Sequence, residues 1–142
     1  LFGKIADRYS VIFEYSELTF EVDEDLFSLP KLYTNGEAVS HILEILLDNA
    51  LKYVQNGGTV RLSCIQGNPV RIIVSDNGPG IPENDQEHIF ERFYRSSEQN
   101  DKNGSGLGLA IAREIAGKLK EDLSVKSTPC EGTYFSLTIH TE

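Results

Sequence analysis

The sequence predicts an α/β two-layer sandwich, a mixed β-sheet covered on one face by about three helices. Three observations lead there. Short β-rich runs, several with period-two alternation, recur along the chain. Three other segments instead space their apolar residues in the helical manner. Neither an internal repeat nor a second compositional block interrupts the 142 residues, so residues 1–142 are expected to form one domain.

Residues 1–16 mix Leu1, Phe2, Ile5, Tyr9, Ile12 and Phe13 with polar positions, predicting a helix or a lead-in from a preceding domain. Leu18–Val22 alternates as a strand does, and Pro30–Thr34 is expected to be a second strand, closed by Asn35-Gly36. The strongest helix is predicted over 37–54, where Val39, Ile42, Leu43, Leu46, Leu47, Ala50 and Val54 recur at three- and four-residue steps before Gly57-Gly58. A hairpin follows: residues 59–66 and 69–75 are β-rich and are joined by Gly67-Asn68. Asp76–Pro82 must be irregular, with two glycines and two prolines in seven residues. A short helix is expected around 86–93, carrying Ile89, Phe90 and Phe93. Residues 96–104 are almost all polar and cannot bury much, so a mobile segment is expected there. A second apolar helix is predicted over 107–119, and strands over 123–127 and 133–140 close the chain.

Composition narrows the function. A net charge of −9 argues against a general nucleic-acid or anionic-membrane binder, because phosphate backbones demand dense Lys and Arg. No apolar run approaches the roughly 18 residues of a spanning helix, and no signal-peptide pattern is present. Cys64 and Cys130 lack CxxC spacing and read as ordinary thiols of a reducing compartment. The chain begins at Leu1 and contains no methionine, which reads as an excerpt from a longer protein.

Three elements carry candidate chemistry. Asn49 shares a helical face with Ile42, Ile45, Leu46 and Tyr53, where a carboxamide needs a partner. A core asparagine bonded to backbone fits that position, and so does a hard oxygen ligand for Mg²⁺. Lys52 and Tyr53 lie beside it and offer a cation and a ring. Asp76 continues the parity of Val70, Ile72 and Val74 toward the core face. It can cap the turn that follows, or it can recognise a purine amine while Gly78 and Gly80 admit the ring close to the backbone. Gly104-Ser-Gly-Leu-Gly-Leu109 opens a helix, where converging N–H groups suit a polyphosphate; a flexible helix entry is the alternative. Its spacing is neither the Walker pattern nor Gly-x-Gly-x-x-Gly directly after a strand.

In combination and order these elements resemble the ATP-binding domain of sensor histidine kinases, a branch of the Bergerat-fold group that also includes type II topoisomerases, a heat-shock chaperone and mismatch-repair ATPases. Leu46-Leu-Asp-Asn-Ala-Leu-Lys-Tyr53 resembles the N box, Asp76-Asn-Gly-Pro-Gly-Ile81 the G1 box, and Ile89-Phe-Glu-Arg-Phe-Tyr-Arg95 the F box particular to the kinases. Gly104–Leu109 resembles the G2 box, and Gly132-Thr-Tyr-Phe135 the final glycine-threonine motif. The resemblance runs from about Phe20 to the C-terminus.

The resemblance implies that Asn49 holds Mg²⁺ and that Asp76 binds the adenine amine of ATP, with Thr133 supporting Asp76 through water. Tyr53 and Ile81 would flank the adenine, and Lys52 and Arg95 would approach the phosphates, so that Asn49, Lys52 and Arg95 carry the catalysis. The backbone of Gly104, Ser105, Gly106, Leu107 and Gly108 would close over the phosphate chain, and residues 96–103 would form a mobile ATP lid. Two positions depart from the family pattern. Ile45 stands where an asparagine is frequent, leaving Mg²⁺ one amide fewer, and Leu119-Lys-Glu121 replaces an HGG-like segment.

Hydrolysing relatives place a glutamate at the position of Ile45. Glu44 is one residue away, roughly 100° around the helix, so transfer to an external nucleophile is expected over hydrolysis. None of His41, His88 and His140 lies in the His-Glu/Asp-x-x-x-Pro setting of a phosphoacceptor. The resemblance therefore implies a protein-histidine kinase portion that donates its γ-phosphoryl group to a histidine on a separate dimerisation domain of the parent chain. A response regulator is reached through that domain, and nucleic acid is not a partner. The isolated domain is expected to be monomeric and the parent homodimeric, in the cytoplasm, with the parent either free or membrane-anchored. An anti-sigma-factor-type serine kinase shares the N, G1 and G2 boxes but not the F box, and a degenerate nucleotide-binding module is the remaining alternative.

Overall fold

The helix beginning at Gly36 starts where its sequence says it should. Asn35 accepts the Ala38 N–H through its side chain at 3.1 Å, satisfying one of the donors a helix start leaves bare. The computed structural model describes residues 2–30, 32, 34–94 and 106–140. In chain order the elements are α1 (Phe2–Tyr15), β1 (Thr19–Val22), a 3₁₀ helix (Glu24–Ser28), α2 (Gly36–Tyr53), β2 (Thr59–Ile65), β3 (Val70–Asp76), α3 (Glu83–Gln86), α4 (Gly108–Lys118), β4 (Leu123–Thr128) and β5 (Gly132–Ile139).

The strands form one sheet in the order β1-β2-β3-β5-β4. β1 runs parallel to β2 and every other pairing is antiparallel, so the sheet is mixed. Its inner face carries Val60, Leu62, Val70, Ile72, Val74, Leu123, Phe135, Leu137 and Ile139, all buried. The alternate positions Arg61, Arg71, Lys126 and Tyr134 are exposed. That division follows from the two-residue side-chain period of a strand.

The helices cover the inner face. α2 buries Val39, Ile42, Leu43, Leu46, Leu47 and Ala50. Each of its fully buried leucines and isoleucines contributes about 1.5–3 kcal/mol of transfer free energy. α1 buries Phe2, Ile5, Ala6, Tyr9 and Phe13, and Phe13 stacks on Phe20 of β1 with ring centroids 4.8 Å apart. The opening segment therefore packs into the same core as the rest. α4 buries Ala110, Ala112 and Ala116, small residues that let it approach α2 closely.

Two expectations require correction. Residues 30–34 were expected to be a strand. Residues 31 and 33 lie outside the described set, while Pro30, Leu32 and Thr34 belong to no strand. Upstream, Asp23 accepts the Asp25 N–H and folds Glu24–Ser28 into a 3₁₀ helix. Pro30 cannot donate to a ladder. The helix expected around 86–93 is also displaced: α3 is a single turn at Glu83–Gln86, and residues 87–93 run on as turns. The bonds there span three residues, His88 N–H to Asp85 O and Glu91 N–H to His88 O, and Phe93 turns left-handed at φ 65°. The segment expected to form a lid, 96–103, lies outside the described residues, as do Arg95, Gly104 and Ser105.

Two backbone segments touch beside the end of β3. Gly132 opens β5 at φ +142°, and a Cβ placed on it would stand 2.0 Å from the carbonyl oxygen of Asp76. The Cys130 N–H donates to Pro79 O at 2.7 Å across the same junction. Gly132→Ala is therefore expected to destabilise the chain by at least about 3 kcal/mol, through steric overlap plus backbone strain. Gly117→Ala, in α4 with no atom within 4 Å of the new methyl, is expected to stabilise it by about 0.5–1 kcal/mol. Urea unfolding of the two variants beside the parent chain checks both signs.

Candidate functional site

Asp76 ends β3 on the buried side of the strand, one step beyond Val74. Burial pushes its carboxyl above the usual carboxylate range, and a hydrogen bond from the Gly78 N–H to Oδ1, 2.9 Å long, opposes that rise. No other hydrogen bond to the carboxylate exists among the described residues. The aspartate thus caps the turn with one oxygen and leaves the other for a donor from outside.

Asp76 lines an open cleft between sheet and helices, whose empty space, open solvent included, is about 600 Å³. Ile81, Ile89, Leu109 and Phe135 give it apolar walls, and Tyr53 and Tyr94 supply two rings. Pro79 and Gly80 form the rim nearest Asp76, and Asn49 and Thr133 complete the polar lining. This mixture of lining groups suits a ligand with a flat apolar body and one or two polar edges. Gly80 is required here, since at φ +77° its Cβ would stand 2.4 Å from Thr128 O.

Asn49 projects from α2 into this cleft, half-buried, and its carboxamide has no hydrogen-bond partner among the described residues. Its neighbours on the helix are turned away. Asp48 accepts a hydrogen bond from Tyr9 Oη of α1 at 2.9 Å, and Glu44 pairs with Arg8 at 3.0 Å. Ile45, one turn before Asn49, faces the start of α4: a Cβ on Gly108 would lie 3.5 Å from its Cγ2. Among the described residues no side chain caps the start of α4, whose positive end lies toward this region.

Of the residues singled out in the sequence, the structure gathers Asn49, Tyr53, Asp76, Gly80, Ile81 and Thr133 around one cleft. Gly78 lies just behind, bonded to Asp76. Gly106, Leu107 and Gly108 lead into α4 outside the lining, with Gly106 at φ +75° against the Phe93 backbone. Lys52 is exposed and does not line the cleft. None of the three histidines lines it either. His41 is exposed, His88 pairs with Glu87 and Glu91, and His140 with Glu121. Cys64 and Cys130 are free thiols.

Some participants escaped the sequence reading. Ser127 Oγ accepts the Ile81 N–H at 2.7 Å and lies 2.9 Å from both Gly132 O and Thr133 Oγ1. The Gln86 amide donates to Ile81 O at 2.9 Å and to Ser127 O at 2.8 Å. Tyr94 Oη donates to the buried carboxylate of Asp85, a bond that raises the pKa of the phenol. Ser127 carried a usable signal: it continues the inward parity of Leu123 and Val125 as Asp76 continues that of Val74. Gln86 and Asp85 carried none, because the run of turns that positions them has no period.

The family described as histidine kinase-, DNA gyrase B-, and HSP90-like ATPase matches residues 34–142. Adaptive-response sensory kinase SasA of Rippkaea orientalis is 37% identical over 139 residues, which are 95% of this chain and 35% of that protein. The chain thus spans about a third of the curated relatives it matches. Among solved structures, mycobacterial sensor histidine kinase MprB superimposes with a TM-score of 0.80 at 27% identity, covering 99% of this chain and 97% of that one. Full-length ShkA in complex with AMPPNP gives a TM-score of 0.75 at 26% identity, covering 98% of this chain and 29% of that one.

Asp76 has a testable stability signature. Its folded-state pKa is raised, so its favourable contribution is complete at low pH and is lost as pH rises through the folded value. Above that value the free chain carries a poorly solvated charge. Asp76→Asn is therefore expected to raise the melting temperature of the free chain at pH 7 by a few degrees, with the gain shrinking on acidification. Calorimetric melting of both proteins between pH 4 and pH 8 reads the difference.

Proposed function

Because the chain belongs to the histidine kinase-, DNA gyrase B- and HSP90-like ATPase family, and is of the sensor-kinase kind within it, we propose that it binds ATP in this cleft and presents the γ-phosphoryl group to a histidine on a separate dimerisation domain of its parent kinase. The observation that carries the reading is Asp76, a carboxylate that lines the cleft with one oxygen unpaired among the described residues. A purine with an exocyclic amine supplies what it lacks. The flat base fits between Tyr53 and Ile81, with Gly80 admitting it close to the backbone. Thr133, the direct cross-strand partner of Asp76, supports the same edge.

From that anchor the triphosphate extends toward Asn49 and the start of α4. The N–H groups there and the backbone of 104–108 would receive it, with Lys52 and Arg95 approaching as cations. The Asn49 amide oxygen, half-buried and without a partner among the described residues, would serve as a ligand of Mg²⁺. A bound Mg²⁺ supplies charge neutralisation on the phosphates. The chain's own residues hold the base, orient the phosphate chain and keep the nucleotide close to an incoming nucleophile, work that is mainly positioning and electrostatics.

Transfer is favoured over hydrolysis by what stands next to Asn49. An aliphatic side chain, Ile45, occupies the turn where a water-activating carboxylate would sit, and Glu44 is engaged by Arg8 on the far side of the helix. The nucleophile then comes from another domain, and a response regulator receives the phosphoryl group from there. Among the described residues no helix is long and apolar enough to cross a membrane. A cytoplasmic setting and a homodimeric parent accord with this scheme.

Two measurements test the proposal. With a purified histidine-containing dimerisation domain and γ-labelled ATP, the expected product carries acid-labile, base-stable label; acid-stable label or none contradicts it. Asp76→Asn is expected to weaken ATP binding by more than tenfold, since the amide can set a donor against the adenine amine. Unchanged affinity by calorimetry, with the fold intact, removes Asp76 from that role.

A further inference from the structure

The polar groups beneath the cleft contain a proton count that settles which way one hydroxyl points. Ser127 Oγ has one proton to give and two lone pairs to offer. Its neighbour Ile81 N–H, at 2.7 Å, can only donate. Gly132 O, at 2.9 Å, can only accept. Thr133 Oγ1, also at 2.9 Å, can do either. Only one assignment makes all three contacts hydrogen bonds: Ser127 gives its proton to Gly132 and accepts from both Ile81 and Thr133. The Thr133 proton is thereby committed downward, and its remaining lone pairs face the cleft that it lines.

The arrangement is held from two sides. The Gln86 amide spends both of its N–H groups on Ile81 O and Ser127 O, fixing the backbones that flank the serine hydroxyl. Thr133 is 5% exposed and sits opposite Asp76 in the β3–β5 ladder, where cross-strand Cβ atoms are about 5 Å apart. At Asp76 and Thr133 the cleft then offers two neighbouring acceptors.

We infer that Ser127 is a positioning residue that fixes the polarity of the Thr133 hydroxyl, so that the site selects a purine carrying a 6-amino group over one carrying a 6-oxo group. This rests on the nucleotide reading above and adds to it the origin of base selectivity. An amine meets Asp76 and Thr133 with donors, directly or through water, whereas a carbonyl meets two acceptors. Without Ser127 Oγ, the Thr133 hydroxyl can rotate and donate to a carbonyl, and the discrimination weakens.

The test is the ratio of ATP to ITP affinity, measured by calorimetry on the 142-residue chain. The parent chain is expected to prefer ATP. Ser127→Ala is expected to lower that preference by roughly fivefold to tenfold, the weight of one hydrogen bond changing sense. Ser127→Thr, which keeps the hydroxyl, is expected to retain the preference. If Ser127→Ala weakens both nucleotides equally or leaves the ratio unchanged, Ser127 is only structural and the inference is overturned. Should the alanine variant not fold, Ser127→Cys, with its much weaker hydrogen bonding, is judged by the same ratio. A parent chain that binds ATP and ITP alike overturns the selectivity while leaving nucleotide binding intact; one that binds neither overturns both.

Discussion

A carboxylate at the inward-facing end of a buried strand is costly unless a donor reaches it, and the architecture around Asp76 follows from that constraint. The row Val70, Ile72, Val74 delivers the aspartate to the inner face of the sheet, where, among the described residues, only the Gly78 N–H donates to it. Gly132 lets the β5 backbone close against the Asp76 carbonyl, which sets Thr133 opposite the carboxylate. Ser127 and Gln86 fasten the loop that carries Ile81 to the neighbouring strand. The ends of β3, β4 and β5 are thereby fastened together beside the carboxylate.

The helical layer contributes a different kind of order. α2 is long, capped at its start by Asn35 and buried along one stripe, so Asn49 is held at a fixed depth beside the cleft. α1 lies against its outer flank. Tyr9, buried and bonded to Asp48, has a phenol pushed up first by burial and then by that bond. The exposed Arg8–Glu44 pair adds little stability, of the order of 0–1 kcal/mol, yet it shows where the Glu44 carboxylate points. Two acids near Asn49 in sequence are thus directed away from the cleft, while Ile45, one turn before Asn49, lies against the start of α4.

The sequence made the periodic parts legible. α2, α4 and the β2–β3 hairpin lie within a residue or two of their expected bounds, because long stripes and clean alternation leave few other arrangements. The inward placement of Asp76 followed from strand parity alone. The β-rich look of residues 30–34 misled, since a capped 3₁₀ turn and a proline upstream leave no ladder to join. The displaced helix near 86–93 failed for a related reason: three-residue hydrogen bonds give turns with no apolar period. At the site, glycines, the asparagine and the aspartate were readable by residue type. Gln86 and Tyr94 were not, because their roles come from loop contacts that only the folded chain assembles, while Ser127 was readable only through its inward strand parity.

Carboxyl-carbon NMR of Asp76 during a pH titration, with and without ATP, tests the central claim most directly. The account predicts that Asp76 in the free chain titrates above an ordinary aspartate and that ATP lowers its pKa, because the nucleotide amine favours the ionised form. A titration indistinguishable from that of an exposed aspartate, and unmoved by ATP, would contradict it.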